Sequence, residues 1–281
     1  MNKCAALILS ASLASGAQAG SVVGTVNAGG GRSSSAGYAL EASLDSIGGG
    51  IVALPTTATN LLLTASPSPV SETGTSQLAG NATMDDATIT VLTGADIGWS
   101  LVTGPILSID ADGVAAAGIV YTNTPAGARG YYLGASNTIT FTVLDSNPDN
   151  LGTYAGDGLP DSWQVQYFGV NNPSAASTAD PDGDGQNNQF EYTTGVSPTN
   201  AASLFVLRIE SVATQPRRKR LIFSPRWSDR IYTPEFRTNF ATGSYAPLIG
   251  IFTTDNGTER AITDVNAVQP VKFYRIKVTY P

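Results

Sequence analysis

No histidine occurs in this chain of 281 residues, and its one cysteine is Cys4. Without imidazole there is no Ser-His-Asp or Cys-His nucleophile system and no ordinary zinc site. A single thiol closes no disulfide within the chain. Apolar runs stay short of the ~18 residues that a membrane-spanning helix needs, so no membrane span is expected. Gly-x-Ser-x-Gly elbows, phosphate-cradling loops and dinucleotide fingerprints are missing as well. The carboxylate pairs Asp85/Asp86, Asp110/Asp112 and Asp229/Glu235 fall in or near expected turns, where solvated turn residues are the ordinary reading. Together these absences predict a protein that is not an enzyme.

Charge is scarce and unevenly placed. Charged residues make up 13% of the chain. Residues 1–200 hold 3 basic and 16 acidic side chains, a net of −13; residues 201–281 hold 12 and 6, a net of +6, which together give the overall −7. Such asymmetry predicts at least two modules with different surfaces. Arg217-Arg218-Lys219-Arg220 is the one basic cluster, read as a solvated turn or a contact for an acidic partner. With a pI near 4.5, no nucleic-acid partner is expected.

Lys3, the apolar stretch Ala5–Ala14 and the small-residue site Ala17-Gln18-Ala19 read as a cleavable secretory signal over 1–19. Secretion to the extracellular space or cell surface follows as an expectation. No apolar anchor tail or sorting motif precedes Pro281, which predicts release or non-covalent retention.

The most specific chemistry lies in Asp180-Pro-Asp-Gly-Asp-Gly-Gln-Asn-Asn-Gln-Phe-Glu191. With Asp180 as the first position, Asp182 and Asp184 fall at the third and fifth, and Gly185 at the sixth, where the backbone must bend sharply. The main-chain carbonyl of Gln186 suits the seventh position and Asn188 the ninth, directly or through water. Glu191, at the twelfth, can close the shell with both oxygens. An all-oxygen shell of flexible geometry suits Ca2+ better than Mg2+. Asp157 and Asp161 are weaker candidates for a second site.

The expected fold is mainly β: an immunoglobulin-like β-sandwich over 59–146, a short helical calcium-loop connector over 147–200 and a small C-terminal β-sandwich over 201–281. A hairpin region is expected over 20–58, with strands at Ser21–Val26, Tyr38–Leu44 and Ile51–Leu54 separated by the Gly29–Ser35 and Gly48–Gly50 clusters. In the sandwich the expected strands include Leu61–Ala65, Ser76–Ala82, Gly98–Thr103, Ala128–Leu133 and Thr138–Leu144. Trp99 is a core residue in this reading. The connector predicts one helix opened by Pro160 and ended by Gly169, with Trp163, Val165, Tyr167 and Phe168 facing a small core. A second helix runs from about Asn188 to Thr194, closed by Gly195. The last module predicts Phe205–Ile209, Arg220–Ser224, Ile231–Arg237, Ala246–Ile251 and Lys272–Val278, with a hairpin at Asp255-Asn256-Gly257.

Leu61-Leu-Leu-Thr-Ala-Ser-Pro67, Gly98-Trp99-Ser100, Ile109-Asp-Ala-Asp-Gly113-Val114 and Thr138-Ile-Thr-Phe-Thr-Val143 resemble the bacterial immunoglobulin-like domains of intimin- and invasin-type surface proteins. The Tyr121–Arg129 segment departs from that pattern, being longer and richer in Pro and Gly. Asp157-Gly-Leu-Pro-Asp-Ser-Trp163, followed by the Asp180–Glu191 loop with Tyr192, Gly195 and Pro198, resembles calcium-binding repeats of thrombospondin type 3 and dockerin kind. In that register the second half is complete. The first is degenerate: Thr153 and Ala155 replace carboxylates and Gln164 replaces the closing acid. Asn171–Ala179 separates the first helix from the loop, so this is not a complete EF-hand. These resemblances imply a secreted, calcium-binding modular protein of structural or adhesive role. The other expectation is a carbohydrate-binding accessory module of a polysaccharide-degrading system, using Tyr131, Tyr132, Tyr245 or Trp227 as stacking platforms. Calcium, extracellular polysaccharide and surface protein are the partners expected.

Overall fold

A computed structural model describes residues 31–35, 38–42, 55–215 and 217–280, the first two stretches by their backbone. The signal segment 1–19 and the strands expected at Ser21–Val26 and Ile51–Leu54 lie outside the described residues. The first described elements are β1 (Gly31–Ser35) and β2 (Tyr38–Ala42), an antiparallel pair in register from Gly31↔Ala42 to Ser35↔Tyr38. Part of the Gly-Ser cluster expected to separate strands therefore forms one itself. A ladder is made by backbone groups, so a weakly β-prone sequence can pair when its neighbour supplies the partners.

The rest is mainly β, and its described residues gather into two compact units, those up to 118 with 124–144, and 119–123 with those from 145 to 280. The first unit contains β3 (Ala58–Ser66), β4 (Val70–Ser71), β5 (Thr75–Met84), β6 (Ile89–Leu92), β7 (Gly98–Thr103), β8 (Ile106–Ile109), β9 (Val114–Ala117), β10 (Thr124–Tyr132) and β11 (Ala135–Leu144). One sheet has the order β3-β5-β9-β8, with β6 also on β5; the other is β4-β11-β10-β7. Strand β5 explains why they stack. Its alternate residues Ser76, Leu78, Gly80, Ala82 and Met84 are the buried ones, so one face of the strand is inside. Leu61, Leu63, Ala82, Met84, Leu92 and Ile97 form the core, and Trp99, Tyr132 and Ile139 pack on it from the opposite sheet. This is a β-sandwich. Trp99 takes its expected core place, its indole N–H donating to Gly94 O at 2.9 Å.

Strand β10 starts earlier than expected, within the Pro- and Gly-rich segment. Pro125 fits because β7 pairs with β10 only from Gly127 onwards, leaving Pro125 with a neighbour on one side alone.

The second unit opens with α1 (Asp161–Phe168) and α2 (Asn188–Thr194) and continues through β12 (Val206–Ser211), β13 (Lys219–Ser224), β14 (Ile231–Arg237), β15 (Ala246–Pro247), β16 (Ile251–Asn256), β17 (Glu259–Asp264) and β18 (Phe273–Thr279). Sheets β12-β13-β17-β16 and β15-β14-β18 enclose Leu221, Phe223 and Ile262, with Phe205, Tyr232, Tyr274 and Ile276 packed around them. The stretch expected as one strand over Ala246–Ile251 is split between β15 and β16. The acidic-loop segment and this sandwich fall within one compact unit.

In α1 the fully buried side chains are polar, Asp161 and Gln164, while Trp163, Val165, Tyr167 and Phe168 are only half-buried. The expected apolar face is an aromatic cluster instead: Trp163 lies 5.1 Å from Tyr167, 6.1 Å from Phe168 and 5.5 Å from Tyr192 of α2, between ring centroids. No helix among the described residues is long and apolar enough to cross a membrane.

Candidate metal centre

The acidic loop folds on itself before any ion is considered. Asp180 accepts the amide hydrogens of Gly183 and Gly185, each at 2.9 Å, through its two oxygens. Asp182 Oδ1 accepts from the Asp184 amide at 3.3 Å, and Asp184 Oδ1 from the Gln186 amide at 2.7 Å. These short-range turns need left-handed backbone at Gly183 (φ 74°) and Gly185 (φ 90°), which glycine adopts without strain. Asn187 then caps α2, accepting the Phe190 amide at 2.9 Å, and the helix places Glu191 on the loop side one turn later.

The outcome is electrostatically costly. Ligand oxygens of Asp180, Asp182 and Asp184 lie within 4.8 Å of one another, the one such cluster among the described residues. Asp182 Oδ2, Asp184 Oδ2 and both oxygens of Glu191 are buried and accept no hydrogen bond. Glu191 is 0% exposed. Burial first, then the nearby charges of Asp182, Asp184 and Asp180, push its carboxyl up to about 7. A buried acceptor without a donor costs about 1–3 kcal/mol, and more when charged.

The same unit shows the alternative. Asp264 is equally buried, at 1%. It accepts from Lys272 Nζ at 2.5 Å, Tyr274 Oη at 2.8 Å and the Asn266 amide at 2.9 Å. Burial raises its pKa, but Lys272, Asn266 and Tyr274 together outweigh that and hold it below the usual carboxylate range. Where this fold buries a carboxylate for structural purposes, it supplies donors. At Glu191 it supplies none, and a divalent cation is the group that would satisfy these oxygens at once.

The residues present fit calcium. Carboxylate oxygens of Asp180, Asp182 and Asp184, the Gln186 carbonyl and a bidentate Glu191 amount to six oxygen ligands. Gln186 can offer only its main chain, because its side chain is committed: Nε2 donates to Phe205 O at 3.2 Å and Oε1 accepts from Phe205 N at 3.1 Å. Asn188 is fully buried, and its amide nitrogen donates to Ser174 O at 2.7 Å and Ala176 O at 2.8 Å. That bracing holds α2 against the 174–176 turn, and Oδ1 has no donor.

Asp157 and Asp161 do not join the cluster. Asp157 accepts from the Leu159 amide at 3.0 Å, the Ser177 amide at 2.8 Å and Gln164 Nε2 at 3.2 Å. Gln164 Nε2 also reaches Ala175 O at 2.9 Å. The amide that replaces the closing acid thus donates to the carboxylate beside it. Asp161 accepts the amides of Asn150 and Leu151 at 2.8 and 2.9 Å.

Two contributors were not legible in the sequence. Asp149 gathers the amides of Gly156, Asp157 and Gly158 and so shapes the first half. Arg230, far along the chain, donates through Nε to Thr193 O at 2.9 Å and through Nη2 to Tyr192 O at 3.0 Å, satisfying the carbonyl end of α2. Its guanidinium also lies 4.4 Å over the Tyr280 ring. A side chain at Gly195 would come within 2.8 Å of Arg230 and Trp227, so glycine there serves both the left-handed cap and this close approach.

The aromatics considered as sugar platforms are mostly engaged. Tyr132 packs on the first core, Trp227 sits against Gly195, and Tyr245 lies between Arg237 and Arg275 at 4.6 and 4.0 Å. Tyr131 is 46% exposed, with Arg129 over its ring. The acid pairs are held by turn or ion-pair contacts: Asp110 by the Asp112 and Val114 amides, Asp86 by Thr88, Glu235 by Arg275. Comparison with protein-family models, curated proteins and solved structures returns no match.

Proposed function

We propose that this chain is a secreted, non-catalytic modular protein whose second unit is a calcium-dependent structural module, serving adhesion or architecture at a cell surface or in an extracellular matrix. The observation that carries the reading is Glu191, fully buried beside three aspartates with no donor on either oxygen. Secretion rests on the signal-like residues 1–19, and the modular role on the likeness to thrombospondin type 3 and dockerin repeats.

The mechanism is linkage. An ion bound only by the folded loop stabilises that loop according to its concentration over its dissociation constant. Extracellular calcium modules bind at about 10⁻⁴–10⁻³ M, a range that external calcium populates without demanding tight affinity. The gain is transmitted because the loop is not isolated. Gln186 clasps the Phe205 backbone, Phe205 packs on Phe223 and Tyr232 at centroid distances of 5.7 and 6.4 Å, and Arg230 ties α2 to the β-sandwich. Calcium fixes the hinge between helix and sheet.

Native mass spectrometry with calcorimetric titration tests this: one Ca2+ per chain, lost in Asp184→Ala, with Mg2+ a weak competitor. A wild-type chain that takes up no calcium at millimolar concentration ends the proposal. Gln186→Ala keeps every ligand but frees the carbonyl from its brace. Its calcium affinity is expected to fall about tenfold, as for other residues that orient ligands from behind. Unchanged affinity in that variant would show that the Phe205 clasp does not position the site.

A further inference from the structure

We propose that the face of the β12–β13–β17–β16 sheet turned away from its core is a binding cleft for an anionic polysaccharide, a chain bearing carboxylate or sulfate groups, with Arg218 and Arg220 as its anion contacts. The register fixes which side chains share this face. Glu210, Arg220, Thr263 and Phe252 are successive cross-strand partners, so they form one row on one face. Leu221 and Ile262, the next residues on their strands, point into the core. At the end of the sheet near the β12–β13 connection lies a cleft of about 460 Å³, lined by Arg218 and Arg220 together with Ser211, Gln215, Thr254 and Thr263.

Three features define its ligand. The first is charge. Glu210 also lines the cleft, but Arg208 holds it at 3.2 Å while bonding Glu259 at 2.8 Å. Neither Arg218 nor Arg220 has an ion-pair partner among the described residues, so two guanidinium groups are left to recognise an anion in planar, two-pronged fashion. The second is the wall chemistry: hydroxyls of Thr254 and Thr263 and the carboxamide of Gln215 both donate and accept, which suits sugar hydroxyls. A protein partner would need a large apolar centre in its interface, and the apolar lining of this cleft is limited to Val212 and Ala213. The third is Phe252, 64% exposed at the end of the row, an apolar ring against which a sugar's C–H face can lie. The cleft is open, which accommodates a polymer rather than an enclosed small molecule. This site is separate in residues from the calcium loop and stands whether or not that reading holds.

Affinity electrophoresis of the full chain at low salt tests it, with dextran sulfate and hyaluronate as sulfated and carboxylated probes, dextran as the neutral control and polyglutamate as an acidic polypeptide. Retardation is expected with one or both anionic polysaccharides and not with dextran, and which of the two binds identifies the anion. Arg218→Ala and Arg220→Ala are each expected to weaken it about tenfold, as loss of a charge-assisted hydrogen bond does. Phe252→Ala is expected to weaken it without altering its salt dependence. Circular dichroism and thermal melting report whether the variants fold. Equal retardation by polyglutamate, binding that survives the double arginine variant, or no retardation by either anionic polysaccharide overturns the proposal.

Discussion

Glu191→Gln is expected to melt above the wild type in chelator and below it in calcium. The crossing follows from what the carboxylate meets in each state. Without an ion, folding buries a charged group that accepts no hydrogen bond and is repelled by Asp180, Asp182 and Asp184. A neutral amide of the same shape removes the repulsion and most of the desolvation cost, a relief of about 1–3 kcal/mol. With calcium at ten to a hundred times its dissociation constant, the wild type gains about 1.4–2.7 kcal/mol by mass action. The variant lacks the bidentate closing ligand and gains little. At about 4 °C per kcal/mol for a unit of this size, both arms of the crossing are measurable by calorimetry. A variant less stable than wild type under both conditions would mean that Glu191 serves as an ordinary structural acceptor, and the metal reading would fail with it.

The loop could be read from its residues because its determinants are local. Asp180 to Gln186 shape one another through bonds spanning two to five positions, and Asn187 and Gly195 bound a seven-residue helix by cap chemistry alone. Strands such as Gly98–Thr103 and Ile231–Arg237 were legible for a similar reason, β-prone residues dominating between turn residues even though Pro234 breaks the second run. What escaped depends on the assembled fold. Strand β17 is central in its sheet, yet Glu259-Arg-Ala-Ile-Thr-Asp264 shows no alternation, because Ala261 and Ile262 are buried on opposite faces and Asp264 is buried on a lysine and a tyrosine from elsewhere. Strand β4 has two residues and exists only by pairing with the end of β11. The bonds from Gln186 to Phe205 and from Arg230 to α2 span 19 and 37–38 positions, beyond any local pattern. Asp157 shows the limit from the other side: its residue type suits a ligand, but its three protein donors could not be seen before folding placed Gln164 and Ser177 beside it.

The second large effect is a pH dependence that calcium removes. In the metal-free unit the Glu191 carboxyl titrates near 7 instead of 4.5. Between those values the folded state holds a proton that the unfolded chain has released, so stability is full below about 4.5 and is lost as pH rises through about 7. At 1.36 kcal/mol per pH unit, the loss is on the order of 3 kcal/mol. The window is unusually clear. The chain has no histidine. The carboxylates held below their ordinary range, Asp86, Asp96, Asp255 and Asp264, contribute stability that disappears only as pH falls below about 4. Saturating calcium holds the carboxylate deprotonated, as it already is in the unfolded chain above about 4.5, so over the same window the stability of the bound form is flat. Urea unfolding of the second unit at pH 4.5, 5.5, 6.5 and 7.5, in chelator and in calcium, reads both slopes. Glu191→Gln is expected to flatten the metal-free slope. A wild-type profile that is already flat in chelator would place the Glu191 carboxylate in contact with donors or solvent, and remove the electrostatic reason for an ion.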